Sequence, residues 1–551
     1  MGFARRCRAL AARLGHAALA SILLGAAAPV LAAEAALPTF AELEAAGAVI
    51  GRIQVTVRDI FDTEDPREDH ALFRLANRLH IQTRSGVIER ALLFKRGERL
   101  SVRLLDETER LLRGKRYLYD VQFRVLAVQG GVVDIEVLTR DTWTLDLGAS
   151  VGRAGGANSA SLAIKEYNLL GTGLTLSAGR FRNVDRSGTE FEVTDPSVMG
   201  GRVAFGLGHA SNSDGRRDSF TLGQPFYALD TRWSAGVSAL RDDRIDPVYV
   251  AGQIDSQYRH RSEQAELYGG WSAGLVDGWV RRWTGGLRLQ DERFAREPGL
   301  KPPAGLPADA RLVTPFVRFE LIEDRFEREL NRNLIGRPEF FALGLQASVE
   351  LGQASTRLGS TRNATLYAAS VAKGFELDED TTWLVGARLW GQWSEGRVRG
   401  QHQSLQTQLY RRQSPRWLFY AGLAADSILH PDPLDRLQLG GDNGLRGYPL
   451  RYQGGTRRAL LTLEERFYTD LYLWRLFRVG GAAFIDVGRA WGGAEPPTAQ
   501  AGWLGDAGLG LRIVSARSAF SNVLHVDLAM PFNPGSDVRR LQLIVKTRTT
   551  F

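Results

Sequence analysis

The sequence predicts a mainly β protein: a small α+β domain followed by a transmembrane antiparallel β-barrel. Three observations predict it. From about Trp143 to the end, helical periodicity vanishes. Segments of roughly ten residues there alternate apolar with small, polar or charged side chains, as a barrel with a wet interior requires. The 60 glycines among 551 residues follow no triplet period and sit among Val, Leu, Phe, Tyr and Trp, which points to sheets with tight turns. The chain also opens with an export signal, and no later apolar stretch reaches the ~18–20 residues of a membrane helix. What is exported is then soluble or spans a membrane as a closed barrel.

The signal occupies residues 1–32. Arg5, Arg6, Arg8 and Arg13 form its basic start, Ala17 to Ala28 its apolar run, and Val30-Leu31-Ala32 its cleavage pattern. Cleavage removes Cys7, the single cysteine. Disulfides, thiolate metal sites and cysteine nucleophiles are thereby excluded from the body of the protein. It also removes four arginines and no acid, so the formal charge falls from +8 to +4. Export and so weak a charge disfavour nucleic acid as a partner.

A linker is expected over 33–47 and an α+β domain over 48–142. Val49 to Val57 alternates as a strand. Glu68 to Leu79 is helical in character, with Leu72, Leu75, Ala76 and Leu79 on one face. Val87 to Phe94 suits a short helix. A clear helix begins at Ser101, with Leu104, Leu105, Thr108, Leu111 and Leu112 as its stripe and Gly114 as its stop. Tyr117 to Val128 reads as a strand, Gln129-Gly130-Gly131 as a hairpin turn and Val132 to Leu138 as the partner strand.

The barrel is expected over 143–551. Leu343, Leu345, Ala347, Val349 and Leu351 share one face. Val203, Phe205 and Leu207 alternate with small residues, and Leu524, Val526, Leu528 and Met530 alternate with His525, Asp527 and Ala529. In the last strand Leu541, Leu543, Val545, Thr547, Thr549 and the terminal Phe551 face one way, and Gln542, Lys546 and Arg548 the other.

Two motifs stand out. Leu439 to Tyr448 (LGGDNGLRGY) lies in a loop rich in Gly, Pro and Asp, 430–456. Phe484-Ile485-Asp486-Val487-Gly488 lies within a strand, with Phe484, Asp486 and Gly488 on the face opposite Ile485 and Val487. If the latter face lipid, Asp486 points into the lumen, where Arg446 on an inward loop can meet it with two hydrogen bonds.

These residues resemble the Omp85 superfamily. Arg446-Gly447-Tyr448 resembles the tip of that family's inward-folded sixth extracellular loop. Phe484-Ile485-Asp486-Val487-Gly488 resembles the strand that the loop arginine meets, and the segment 48–142 resembles a POTRA domain. Asn168-Leu169-Leu170-Gly171-Thr172-Gly173 resembles the end of the first barrel strand in BamA- and TamA-type members, and the terminal Phe551 resembles an outer-membrane barrel signal. The resemblance implies about sixteen strands, an outer-membrane location with a periplasmic POTRA domain, and insertion or translocation of polypeptides. Extended polypeptides are the expected clients, with outer-membrane lipid and accessory periplasmic proteins as further partners. Client pairing is expected along Tyr117, Tyr119, Val121, Phe123 and Val125, at an exposed sheet edge. A seam is expected between a first barrel strand near Asn158 to Tyr167 and the last, Leu541 to Phe551.

No enzyme and no cofactor are expected. Gly148-Ala149-Ser150-Val151-Gly152 matches a nucleophile elbow, but a turn and another strand follow where a helix is required. Gly440-Gly441-Asp442-Asn443-Gly444 lacks the lysine and helix of a phosphate loop. The eight histidines show no metal-ligand spacing. Glu464 and Arg466 read as part of a solvated barrel wall. A dedicated pore for one exoprotein, a surface barrel without transport and a plain diffusion porin are the rival readings.

Overall fold

A computed structural model describes residues 37–493, 501–519 and 523–548. The export signal, the first residues of the linker, Thr549 and Phe551 lie outside the described residues.

The N-terminal domain begins earlier than the composition suggests. Helix α1 (Phe40–Ala45) occupies the expected linker. Thr39 caps it: the hydroxyl accepts the Glu42 N–H at 3.3 Å, and the Glu42 carboxylate accepts the Thr39 N–H at 2.8 Å. Strand β1 (Val49–Arg58) is followed by α2 (Ala71–Leu79), α3 (Ser85–Ala91), α4 (Val102–Arg113), β2 (Leu118–Gln129) and β3 (Val132–Asp141). The sheet order is β1-β3-β2, with β1 parallel and β2 antiparallel to β3, so β2 is an edge. Leu43, Ile88, Leu105, Leu112, Val121 and Ile135 form one core beneath the sheet.

Helix α2 stands apart from that core. Its anchor is Phe73, stacked on Phe61 with centroids 4.0 Å apart, beside Trp143 and Leu476. Leu72, Leu75 and Leu79 are exposed. Their stripe therefore faces away from the domain, because a neighbouring position, Phe73, supplies the buried contact.

Twenty antiparallel strands close the barrel, not about sixteen. Six strands of only 8–10 residues run from Leu145 to Gln224, joined by connections of two to eight residues. The first barrel strand is Leu145–Ala154. The segment Ala157–Glu166 is the second, which corrects the expected position of the seam. The Asn168–Gly173 motif accordingly follows the second strand rather than the first. In the middle of the barrel the strands are tall, with 24 residues in Gln253–Val276.

Leu147, Leu162, Leu267, Leu509 and Met530 lie exposed on the outer surface, whereas Glu350 faces inward, taking hydrogen bonds from Arg288 (2.7 Å) and Arg318 (2.8 Å). Val349 and Leu351 are exposed as their alternation implies. Leu343 is buried in the preceding connection, outside the strand Gln346–Ala354. Near the mouth that carries the α+β domain, exposed tryptophans meet across neighbouring strands: Trp233 opposite Trp271, and Trp271 opposite Trp283. Trp383 and Trp417 continue this girdle at the starts of later strands. No described helix is long and apolar enough to cross a membrane.

Both mouths send chain inward. At the far mouth, loop 430–456 joins Trp417–Leu429 to Arg457–Leu473 and contains the short strands Leu437–Leu439 and Gln453–Gly455. At the domain mouth, a hairpin of Phe326–Leu330 and Pro338–Ala342 carries Ile335 into a cluster with Tyr410, Leu418, Tyr468 and Val514.

Candidate functional site

The loop, the inner wall and the closing strands converge on Arg446. Along Phe477–Trp491, Ile485 is exposed while Phe484 and Asp486 are buried on the lumen side. The turn of the loop at Gly440–Asn443 aims Arg446 at this face: Asn443 Oδ1 accepts the Gly440 N–H at 2.6 Å, and its Nδ2 donates to the Gln438 carbonyl at 2.7 Å. Arg446 Nε then donates to Asp486 Oδ2 at 2.6 Å and Nη2 to Asp486 Oδ1 at 3.0 Å. Its Nη1 donates to Glu464 Oε1 at 2.9 Å and lies 3.5 Å from Asp527 Oδ2. The guanidinium stacks over Phe484, 3.4 Å from the ring centroid.

Neighbouring groups hold the acids in turn. Thr462 Oγ1 donates to Asp486 at 2.8 Å, Arg466 Nε to Glu464 at 3.0 Å, and Arg512 pairs with Asp527. Glu464 and Arg466 are therefore not a solvated wall: both are buried members of the cluster. A guanidinium is the right cation here, because its fork serves two carboxylates at once while its flat face covers a ring.

Gly447 and Tyr448 complete the tip. The Gly447 N–H donates to Asp506 Oδ2 at 2.9 Å, and the Tyr448 hydroxyl donates to the Gly505 carbonyl at 3.3 Å. A Cβ on Gly447 would stand 2.7 Å from the Asp506 Cβ and 3.1 Å from the Pro531 nitrogen. Gly447→Ala is expected to destabilise the barrel by about 1–3 kcal/mol, as overpacking does. It should lower the temperature at which folded barrel loses its compact electrophoretic mobility. Gly488 lies against the loop and its flanking strand, where a Cβ would meet the Ala459 carbonyl at 2.9 Å and Leu439 at 3.0 Å.

The same loop spans the closure of the barrel. The last strand, Gln542–Arg548, pairs with Val523–Pro531 from Val523↔Arg548 to Ala529↔Gln542. With the first strand it shares, among the described residues, the single register pair Val545↔Arg153. Across this seam the loop touches both sides. The Leu450 N–H donates to the Gly155 carbonyl at 3.1 Å, in the turn after the first strand. Lys546 Nζ of the last strand donates to the Gly441 and Asp442 carbonyls at 3.3 and 3.1 Å.

The α+β domain is seated on the opposite mouth. Asn168 Nδ2 donates to Thr83 Oγ1 at 2.7 Å, and the Arg84 N–H donates to the Gly171 carbonyl at 3.0 Å. Gly171 has φ +72, and a Cβ there would collide with the Gln82 carbonyl, so glycine is required for this seating. Glu107 accepts the Leu229 N–H at 2.8 Å and Arg103 Nη1 at 3.0 Å. Burial holds its carboxyl above the usual range despite these donors. The inward hairpin touches the domain as well: Arg110 stacks on Phe326 at 3.7 Å, and Arg337 Nη2 donates to the Leu118 carbonyl at 3.1 Å.

The five residues assigned to client pairing fare unevenly. Tyr117 precedes β2 and is buried, with its carbonyl accepting the Thr142 N–H at 3.0 Å. Burial pushes its hydroxyl up to about 12. Val121 is buried, and Phe123 and Val125 pack on the core. Tyr119 lies beneath Arg517, 4.8 Å from the ring. The edge therefore offers backbone, flanked by the exposed side chains of Gln122 and Arg124.

Gly148 to Gly152 lies inside the first barrel strand, where Ser150 Oγ is 2.7 Å from Ser161 Oγ of the second. Among the described residues no group of three metal-ligating side chains is placed to hold an ion. Sequence reasoning missed Asp506, Asp527, Thr462 and Lys546, and it missed the inward hairpin altogether.

Fold and site together define a closed barrel with a small α+β domain at one mouth and a loop bolted inside by arginine. No protein-family model and no curated protein matches the chain. Solved structures to which it is similar include three that cover 90–91% of the chain. BamA from Haemophilus ducreyi lacking POTRA domains 1-3 is 14% identical over 90% of this chain and 84% of that one, with a TM-score of 0.38. CdiB from Acinetobacter baumannii is 13% identical over 91% and 73%, with a TM-score of 0.42. CdiB from Escherichia coli is 13% identical over 90% and 76%, with a TM-score of 0.46.

Proposed function

We propose that this protein is an outer-membrane β-barrel of the Omp85 superfamily that inserts polypeptides into the bacterial outer membrane or moves them across it. The domain mouth faces the periplasm, the α+β domain serves as a POTRA domain, and the export signal is cleaved. The observation that carries the reading is the loop 430–456 held in the lumen by Arg446 on Asp486, beside a seam with one register pair among the described residues. A seam so sparsely paired can exchange its partner for a client strand, because unpaired strand edges template new ones.

The client is received by β-augmentation at β2. The groove beside this edge is lined by Arg113, Arg124, Arg328 and Arg337. In this reading the chain performs no covalent chemistry and needs no cofactor. Hairpin and loop enter the lumen from opposite ends and pack on its wall, which opposes the reading as an open diffusion pore.

Cysteine introduced at Gln122 or Arg124 and carrying a crosslinker is expected to capture client polypeptide, whereas one at Arg52 on β1 is not. Equal capture at all three would reject the edge as the receiving site. The decisive experiment is the outer-membrane and secreted proteome after depletion of the protein. Broad loss of barrel proteins means an assembly factor. Loss of one exoprotein means a dedicated secretion pore. An unchanged proteome would overturn the transport reading and leave a surface barrel.

A further inference from the structure

Residues 60–84 pass beneath the seam. Arg517, in the turn before the penultimate barrel strand, pairs with Glu68, and its Nη1 donates to the Ile60 carbonyl at 3.2 Å. Leu476, in the turn two strands earlier, packs on Phe61 and Phe73. On the other side of the seam, Thr83 and Arg84 are fastened to the turn of Asn168–Gly171. Helix α2 thus hangs from turns on both flanks of the seam, at the domain mouth of the barrel.

Its outward face is apolar and is left uncovered by the described residues. Leu72, Leu75, Leu79 and Ile81 are exposed by 48–65%. A monomeric domain rarely leaves such a stripe open without a partner for it. The stripe continues into the outer surface of the barrel through Leu170, in the turn fastened to Arg84, and Leu147 on the first barrel strand. Arg74 and Arg78 flank it, Arg74 paired with Asp69 and both largely exposed. A short helix with leucines on one face and arginines beside them suits the plane where acyl chains meet anionic headgroups.

We infer that α2 is an interfacial helix: its leucine face lies in the periplasmic leaflet of the outer membrane, directly beneath the seam, with arginines at the phosphate level. This rests on the reading of the barrel as membrane-spanning. The lipid-immersed face anchors the α+β domain against the bilayer and places apolar side chains in the leaflet where an exchanging strand would enter.

The test uses the whole protein, with Cys7→Ser if that residue is retained, in vesicles of phosphatidylethanolamine and phosphatidylglycerol. An environment-sensitive fluorophore is attached at Leu75→Cys, at Leu147→Cys on the barrel wall and at Gln122→Cys on β2. The expected result is blue-shifted emission at 75 and 147 that nitroxide-labelled lipids extinguish, with no quenching at 122. Quenching at 147 without quenching at 75 overturns the inference and leaves the membrane reading intact. No quenching at 147 overturns the membrane reading itself. Disulfide dimers through Leu75→Cys, or client crosslinked there in place of lipid quenching, would assign the face to a second copy or to the client and equally reject the inference. Should Leu75→Cys fail to fold, Leu79→Cys on the same face serves in its place.

Discussion

Arg446→Ala is expected to release loop 430–456 from the lumen and to destabilise the barrel by about 3–5 kcal/mol, the cost of leaving a buried ion without its partner. The size follows from what stays behind. Asp486 and Glu464 are both buried and both bonded to this guanidinium, with Asp527 3.5 Å away. Arg446→Lys keeps the charge but has no planar fork to serve two carboxylates and cover Phe484, so it should recover only part of the loss. The measurements are protease access to the loop from outside and the temperature of the mobility shift. An Arg446→Ala barrel with a protected loop and unchanged melting would show that Lys546, Gly155 and Tyr448 suffice to hold it.

Excising residues 326–342 is expected to open the lumen from the domain mouth. The strands on either side pair directly, Ile322 opposite Gln346, so a short turn can replace the hairpin without straining the wall. The hairpin is bound to the barrel wall and to β2 and braced within itself. Arg466 Nη1 and the Tyr468 hydroxyl donate to the Arg332 carbonyl at 2.8 and 3.1 Å, and Glu339 accepts the N–H groups of Asn333 and Leu334 at 2.9 Å each. Arg337 ties the hairpin to β2. Planar-bilayer recordings should show low conductance for the intact protein and a large steady conductance for the excised form. Equal conductance would mean that loop 430–456 alone closes the pore.

Parity along a strand is local information, and it was legible. Phe484, Asp486 and Gly488 alternate with Ile485 and Val487, which is enough to assign the inward face. The convergence of Glu464, Asp506 and Asp527 on the loop tip was not legible, because they come from three other strands and meet Arg446 or Gly447 only through register across the sheet. The figure of about sixteen strands came from the resemblance alone; the alternating segments are more numerous, and twenty of them close the barrel. The inward hairpin reads in sequence as two more short charged segments, since nothing local says that Ile335 will find Tyr410 and Tyr468. Helix α1 is a different case. Thr39-Phe40-Ala41-Glu42 is a capping-box pattern in plain view, obscured by the Ala-rich stretch around it. The stripe of α2 was read correctly as a face, but which environment would cover it is decided by Phe73, the neighbour that docks.

Because loop 430–456 grips Gly155 on one side of the closure and Lys546 on the other, its position and the parting of the two strands are thermodynamically linked. Whatever favours separation must weaken the hold on the loop, and whatever draws the loop outward must favour separation by the same free energy. In the proposed orientation, a ligand confined to the cell exterior, such as an antibody fragment that prefers the withdrawn loop, would then act as a remote effector of events on the outer side of the wall. A ligand that prefers the seated loop would act as an inhibitor without ever touching the strands it restrains.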